Sequence, residues 1–217
     1  MIRSIRVSDL KSGVEYALII ALYYVAGGAF SYTAYSTQIT VFFLVAFVLC
    51  VLGGNINKLL QEKVFLVLFF ESIFLLLVPI LNFDGFTSYI AIIMQLFIGA
   101  FCAAIIPLEN FRYKYIRIMA FFASVSLVGY VLAFIYPQII FYFPVIIGEA
   151  SVDYYNAFIY VFMTAKGYGA TVLTTRNAGI CWEPGCYQAF LNIALFFLLS
   201  GEERKQEQRF TIFFFIL

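Results

Sequence analysis

The sequence contains no histidine. That removes imidazole acid–base chemistry and His-ligated metals from consideration. Only four cysteines occur among 217 residues, too few for a disulfide framework. Charge is scarce as well, at 12% of residues, where a soluble domain carries about 25%. The formal net charge of +1 offers no field for a polyanion, so nucleic acid is not an expected partner. What fills the chain instead is apolar. Hydrophobic residues make up 64% and aromatics 20%, against about 45–50% apolar in soluble proteins. Mean hydropathy is +0.98. A water-soluble globule of this size cannot hide so much apolar surface. Soluble enzymes, nucleic-acid binders and secreted disulfide scaffolds are thereby excluded, and the chain reads as an integral membrane protein.

A spanning helix needs about 20 mostly apolar residues. Six segments qualify: 14–33, 38–54, 64–81, 89–107, 115–136 and 184–200. Arg3, Arg6 and Lys11 ahead of the first run resemble the start of a signal peptide. No small-residue cleavage site follows, and five more runs do, so the run reads as a retained span. The alternating pattern of an outer-membrane barrel is absent. An all-α polytopic bundle is therefore the expected fold class, since helices satisfy their own backbone in lipid. Alternating six spans puts 11 of the 13 basic residues on one face and leaves Lys166 and Arg176 on the other. The positive-inside rule makes the first face cytoplasmic, with the N-terminus on it.

One connection is unlike the others. Residues 137–183 form a long outer-face loop rich in Tyr and Phe. Loops of that length are usually functional or disordered, and the aromatic content argues against disorder. Within it, 152–165 is expected as a short helix lying in the membrane interface. After a charged stretch at 202–209, a seventh apolar run begins and stops after seven residues. Such a run cannot cross a bilayer, so the chain is expected to be the front part of a longer protein.

The stretch 176–192, RNAGICWEPGCYQAFLN, gathers the residues that can carry chemistry. Pro184 suits the first turn of a helix, with Glu183 at the cap. The helix start then presents free N–H groups and the positive end of its dipole, a ready anion site. Arg176 upstream supplies a forked cation suited to phosphate. Gly179 and Gly185 suit turns or close approach to a ligand. Trp182 suits the headgroup level or the face of a sugar. Glu183 can accept a sugar hydroxyl, act as a base or orient Arg176. Each residue also has a plainer use: Arg176 as a snorkelling cation, Trp182 as an interface anchor, Glu183–Pro184 as helix-start chemistry, and the glycines as turn residues.

This stretch resembles the motif of the bacterial O-antigen ligase and polymerase superfamily. Its polysaccharide-polymerase branch has an Arg followed by a glycine-led run ending Trp-Glu-Pro-Gly at the start of a transmembrane helix. Arg176, Gly179, Trp182, Glu183, Pro184 and Gly185 fit that pattern, while Cys181 stands where an aromatic is common. The resemblance implies a C-type membrane glycosyltransferase, metal-independent and without a cofactor. It would polymerise undecaprenyl-pyrophosphate-linked oligosaccharide repeat units at the outer face of the inner membrane, into O-antigen, capsule or exopolysaccharide. It implies Arg176 and Glu183 as catalytic residues. It implies Arg176, Gly179, Trp182, Pro184 and Gly185 as substrate-binding residues. A chain-length regulator is an implied partner, beside membrane lipid. An O-antigen ligase acting on lipid A–core is the nearest alternative. A lipid-linked oligosaccharide flippase or a non-catalytic membrane subunit is the alternative of another class.

Outside the motif, Glu71 sits mid-span, where a charge is costly, and is expected to face the bundle interior. Gln95 and Asn192 are expected to hydrogen-bond between helices. Cys50 and Cys102 read as packing residues. Cys181 and Cys186 share the outer face, and a disulfide or simple packing are both open to them. Lys166 and Asp153 are weaker candidates for the outer pocket.

Overall fold

The computed structural model describes residues 7–28, 35–61, 63–148, 152–157, 159–165, 177–181 and 183–200. The chain is mostly helical. Its helices are α1 (Val7–Gly27), α2 (Tyr35–Leu52), α3 (Ile56–Gln61), α4 (Lys63–Asn82), α5 (Phe86–Ile105), α6 (Leu108–Ile135) and α7 (Pro184–Ser200). A 3₁₀ turn (Pro137–Tyr142) and three strands, β1 (Val145–Gly148), β2 (Val152–Asn156) and β3 (Val161–Ala165), stand between α6 and α7. Among the described residues three helices, α4, α5 and α6, are long and apolar enough to cross a membrane. Most of the helix bounds lie within a few residues of the six apolar runs. The exceptions are α1 and α6, which each begin seven residues early. In α6 the cause is Pro107, whose carbonyl accepts from Phe111 N–H at 2.9 Å and caps the helix. Arg112 and Lys114 therefore lie on a helix, not in a connection.

The chain forms two compact units, Met1–Ala26 with Ala34–Phe111, and Gly27–Thr33 with Arg112–Leu217. The first is held by apolar shape. α2 is apolar all round, yet it buries one stripe: Ile39, Ala46 and Cys50. α5 answers with Ala91, Ile98, Phe101 and Cys102, again at helical spacing. The small residues let the helices approach, as membrane interfaces favour. Phe101 then fits against Phe43 and Phe47, with both ring centroids 5.7 Å away. Cys50 and Cys102 are buried packing residues, as expected. Gln95 donates to the Val25 carbonyl at 2.9 Å, the interhelical bond expected of it.

Glu71 departs from expectation. It lies on α4, which buries only Leu68 and Pro79, and its side chain is exposed within the unit. The buried acid is instead Glu15 of α1, 2% exposed, which accepts from Asn110 Nδ2 at 3.4 Å. Glu15 stands only two residues inside the first apolar run, where a charge costs less than at mid-span. That position hid it from a search for mid-span charges.

Two helices of the first unit end alike. Leu52 is followed by Gly54 at φ +66°, and Asn55 N–H closes back on the Cys50 carbonyl at 3.0 Å. Asn82 is followed by Phe83 at φ +56°, and Asp84 N–H closes on the Pro79 carbonyl at 3.0 Å. Both have the six-to-one bond of a left-handed helix cap. Only the first has the glycine that such a cap favours.

In the second unit the aromatic loop is a sheet. β1, β2 and β3 form an antiparallel meander in that order, with Tyr154 opposite Met163 and Asn156 opposite Val161. The interfacial helix expected over 152–165 is thus corrected to two strands and a turn. Tyr, Phe and β-branched residues favour the pleated surface. The period of two also decides the packing. Val161 and Met163 of β3 turn to one side, with Tyr154 and Ala178. Phe162 turns to the other, with Ala133 of α6, Ile140 and Tyr160. Buried on both faces, β3 reads as a continuous apolar run, which by periodicity alone is indistinguishable from a buried helix.

Candidate functional site

The described part of the motif is a turn followed by a helix start. Ala178 packs on β3, and Val161 N–H donates to the Gly179 carbonyl at 2.8 Å. Cys181 N–H closes a tight turn on the Ala178 carbonyl at 2.9 Å. Gly179 carries the turn at φ +59°. A Cβ on Gly179 would lie 2.6 Å from the Tyr187 ring. Both the backbone angle and the contact therefore demand glycine here. Arg176 and Trp182 lie outside the described residues, as does Lys166.

α7 begins at Pro184, as the sequence predicts. Tyr187 N–H donates to the Glu183 carbonyl at 3.2 Å, which makes Glu183 the cap residue. Its carboxylate is exposed beside the free N–H groups of the first turn. Gly185 sits in that turn under no steric demand. A Cβ there would meet only the Glu183 carboxylate, at 3.7 Å. The two motif glycines thus differ: Gly179 is required by the fold, and Gly185 is not.

A buried polar relay lies beneath the turn. Asn177 Oδ1 accepts from Gly179 N–H at 2.9 Å, and Asn177 Nδ2 donates to Ser126 Oγ of α6 at 3.2 Å. Ser126 Oγ and the Tyr187 hydroxyl are 2.7 Å apart. Ser126 Oγ also reaches the Ala123 carbonyl at 3.0 Å. A saturated assignment exists, as buried polar groups require. The one serine proton serves Ala123, and its two lone pairs accept from Asn177 and Tyr187. The relay fastens the residue that follows Arg176 to two helices. Tyr160, packed on Phe162 with centroids 4.8 Å apart, has its phenol pushed up by burial, with Tyr130 and Tyr187 adding to the shift. It stays neutral and acts as packing.

The far end of α7 is fixed as well. Arg112 of α6 donates to the Phe197 carbonyl at 3.1 Å and to Ser200 Oγ at 3.3 Å. A guanidinium there adds a donor to a terminal carbonyl, which Ser200 Oγ also reaches at 3.5 Å, and meets the negative end of the helix dipole. Tyr115 donates to the Phe190 carbonyl at 3.2 Å, midway along. Asn192, expected to bond between helices, is exposed on α7. Asp153 is half-buried on β2.

Sequence reasoning missed Asn177, Ser126, Tyr187 and Arg112. Asn177 and Tyr187 stood inside the motif, and their polar atoms at a membrane helix start were the available signal. Ser126 had none, since serine is common in membrane helices. Among the described residues no group of three or more potential ligands is placed to hold a metal ion. A cavity of about 290 Å³ in the first unit is lined by apolar side chains, among them Ala17, Leu18, Ala21, Phe42 and Val45. It has no polar group to orient a substrate. Comparison with protein-family models, with curated proteins and with solved structures returns no match.

Proposed function

We propose that this chain is a membrane glycosyltransferase of the repeat-unit polymerase kind, acting on undecaprenyl-pyrophosphate-linked oligosaccharide. The observation that carries the reading is a local one. A glycine-locked turn leads directly into a proline-opened helix whose cap is Glu183, in the motif Arg-Asn-Ala-Gly-Ile-Cys-Trp-Glu-Pro-Gly. Helix starts of this build attract phosphate.

In the proposed reaction an acceptor hydroxyl attacks the anomeric carbon of the growing glycan. The bond to the carrier pyrophosphate breaks, and undecaprenyl pyrophosphate leaves with the electron pair. Arg176 and the first-turn N–H groups of α7 meet the negative charge that develops on the leaving group, usually the largest catalytic contribution. Glu183 takes the hydroxyl proton. Trp182 stacks on a sugar ring, and Pro184 and Gly185 leave the backbone open to the ligand. The proposed topology has six spans, with α1, α2 and α7 joining α4, α5 and α6. The basic-residue count supports a cytoplasmic N-terminus and, with it, a motif at the outer face of the inner membrane. O-antigen, capsule and exopolysaccharide are all products this chemistry allows.

The test is expression of the full reading frame in a host lacking its own polymerase, read as glycan ladders. Arg176→Ala and Arg176→Lys are expected to collapse the ladder to single repeat units on the core, since a lysine lacks the bidentate fork. Gly185→Ala is expected to leave folding intact and still shorten the ladder. Normal ladders from both Arg176 variants would overturn the reading. Long glycan left on the carrier would point to the ligase reaction, and single units trapped on the inner leaflet to a flippase.

A further inference from the structure

Two of the four thiols meet at the motif. Cys181 is fully buried and Cys186 half-buried, and both are free thiols. They converge on one dipeptide. Cys181 pairs with Gly28 as an isolated antiparallel bridge. The Cys186 thiol points at the Gly27 carbonyl from 4.0 Å, and a Cβ on Gly27 would collide with the Cys186 sulfur. Cys50 and Cys102, by contrast, are both buried, in α2 and α5.

The geometry points to a reversible disulfide site between Cys181 and Cys186, closing a ring across Trp182, Glu183, Pro184 and Gly185. Both residues already abut the same Gly27–Gly28 dipeptide, so closing the bond calls for side-chain rotation and not for a change of fold. The unequal burial gives the thiols different tasks. Cys186 is the accessible member. Its thiolate attacks one sulfur of a small disulfide oxidant such as oxidised glutathione and expels one glutathione thiol. Cys181 then attacks the Cys186 sulfur and expels the second. Two protein thiols and one glutathione disulfide become one protein disulfide and two glutathione thiols. The site stands independently of the proposed glycosyl transfer and of the side of the membrane it faces.

The experiment uses the purified full chain in detergent. It is equilibrated over a series of oxidised-to-reduced glutathione ratios, acid-quenched, alkylated with N-ethylmaleimide, digested and weighed. A peptide linking Cys181 to Cys186, lighter by two hydrogens, is expected to rise with the ratio and to vanish with dithiothreitol. Cys50 and Cys102 should stay reduced throughout. Cys181→Ser should instead accumulate a mixed disulfide with glutathione on Cys186, and Cys186→Ser should leave Cys181 unmodified. Thiols at both positions at every ratio would overturn the proposal, as would equal glutathione addition to the two single variants. Resistance of the wild-type pair with reactive Cys50 and Cys102 would overturn it too.

Discussion

Helices α5 and α7 are both apolar, yet they are held by opposite means. α5 meets α2 through rings and small side chains, with Phe101 seated against Phe43 and Phe47. α7 is fastened through polar atoms along its length: Tyr187 to Ser126 near the start, Phe190 to Tyr115 midway, Phe197 and Ser200 to Arg112 at the end. In lipid an apolar side chain gains little by leaving one apolar setting for another, so shape chiefly specifies the first contact, with the weak Thr40 Oγ1–Met94 Sδ contact at 3.8 Å beside it. Shape tolerates sliding and repacking. Hydrogen bonds fix a helix along its own axis, because each has a short range and a direction. The helix whose start carries the proposed anion site is pinned at its start, middle and end, whereas α5 is tied to α1 at Gln95.

The sharpest test of that contrast is Gly179→Ala. Left-handed backbone costs about 1–2 kcal/mol for a residue with a Cβ, and forcing a methyl against a packed ring costs about 1–3 kcal/mol more. A loss of about 3 kcal/mol is expected from unfolding in mixed detergent titrations. In a Tyr187→Leu background the same substitution should cost only about 1 kcal/mol, the backbone share. Equal costs in both backgrounds would mean that the ring contact is irrelevant.

A second pair of variants sets the two helices against each other. Phe101→Leu removes ring contacts but stays apolar, and is expected to cost under about 1.5 kcal/mol. Tyr187→Phe deletes a single oxygen and leaves Ser126 short of a partner, which costs about 1–3 kcal/mol. The smaller change in volume should thus give the larger or equal loss. It should also shorten glycan ladders, which Phe101→Leu should leave unchanged. A Phe101→Leu loss clearly exceeding that of Tyr187→Phe would break the comparison.

The smallest effect runs the other way. Phe83 occupies the same kind of left-handed cap as Gly54 and is 96% exposed. Phe83→Gly should relieve about 1 kcal/mol of backbone strain, read as a modest rise in thermal midpoint. A fall would mean that the phenyl ring contributes more than the strain it imposes.

The positions of the helices were legible because long apolar runs are bounded by charge, Pro and Gly. The start of α7 at Pro184 could be read to the residue, since proline chemistry at a helix start is local. The stripe that α2 buries was not legible, because apolarity all round leaves only residue size to mark a face. The sheet over 145–165 was hidden for a related reason. A strand buried on both faces loses the alternation that would announce it. In the site, Gly179 and Glu183 were singled out from sequence for reasons the turn and the cap bear on. The relay through Ser126 depends on a helix some fifty residues away in the chain, and distance of that kind leaves no local signature.

The bond from Val161 to Gly179 has an evolutionary consequence. It clasps the first residue of β3 to the motif turn, so the stretch of chain between the two residues is closed at both ends. Lengthening such a loop is cheap, at about 0.6 kcal/mol for each doubling. A change of chain length between the two ends is therefore compatible with an unmoved β3 and an unmoved start of α7. Under the proposed function, a lineage carrying this clasp would inherit the motif turn and the helix start unchanged while the side chains that meet the saccharide vary.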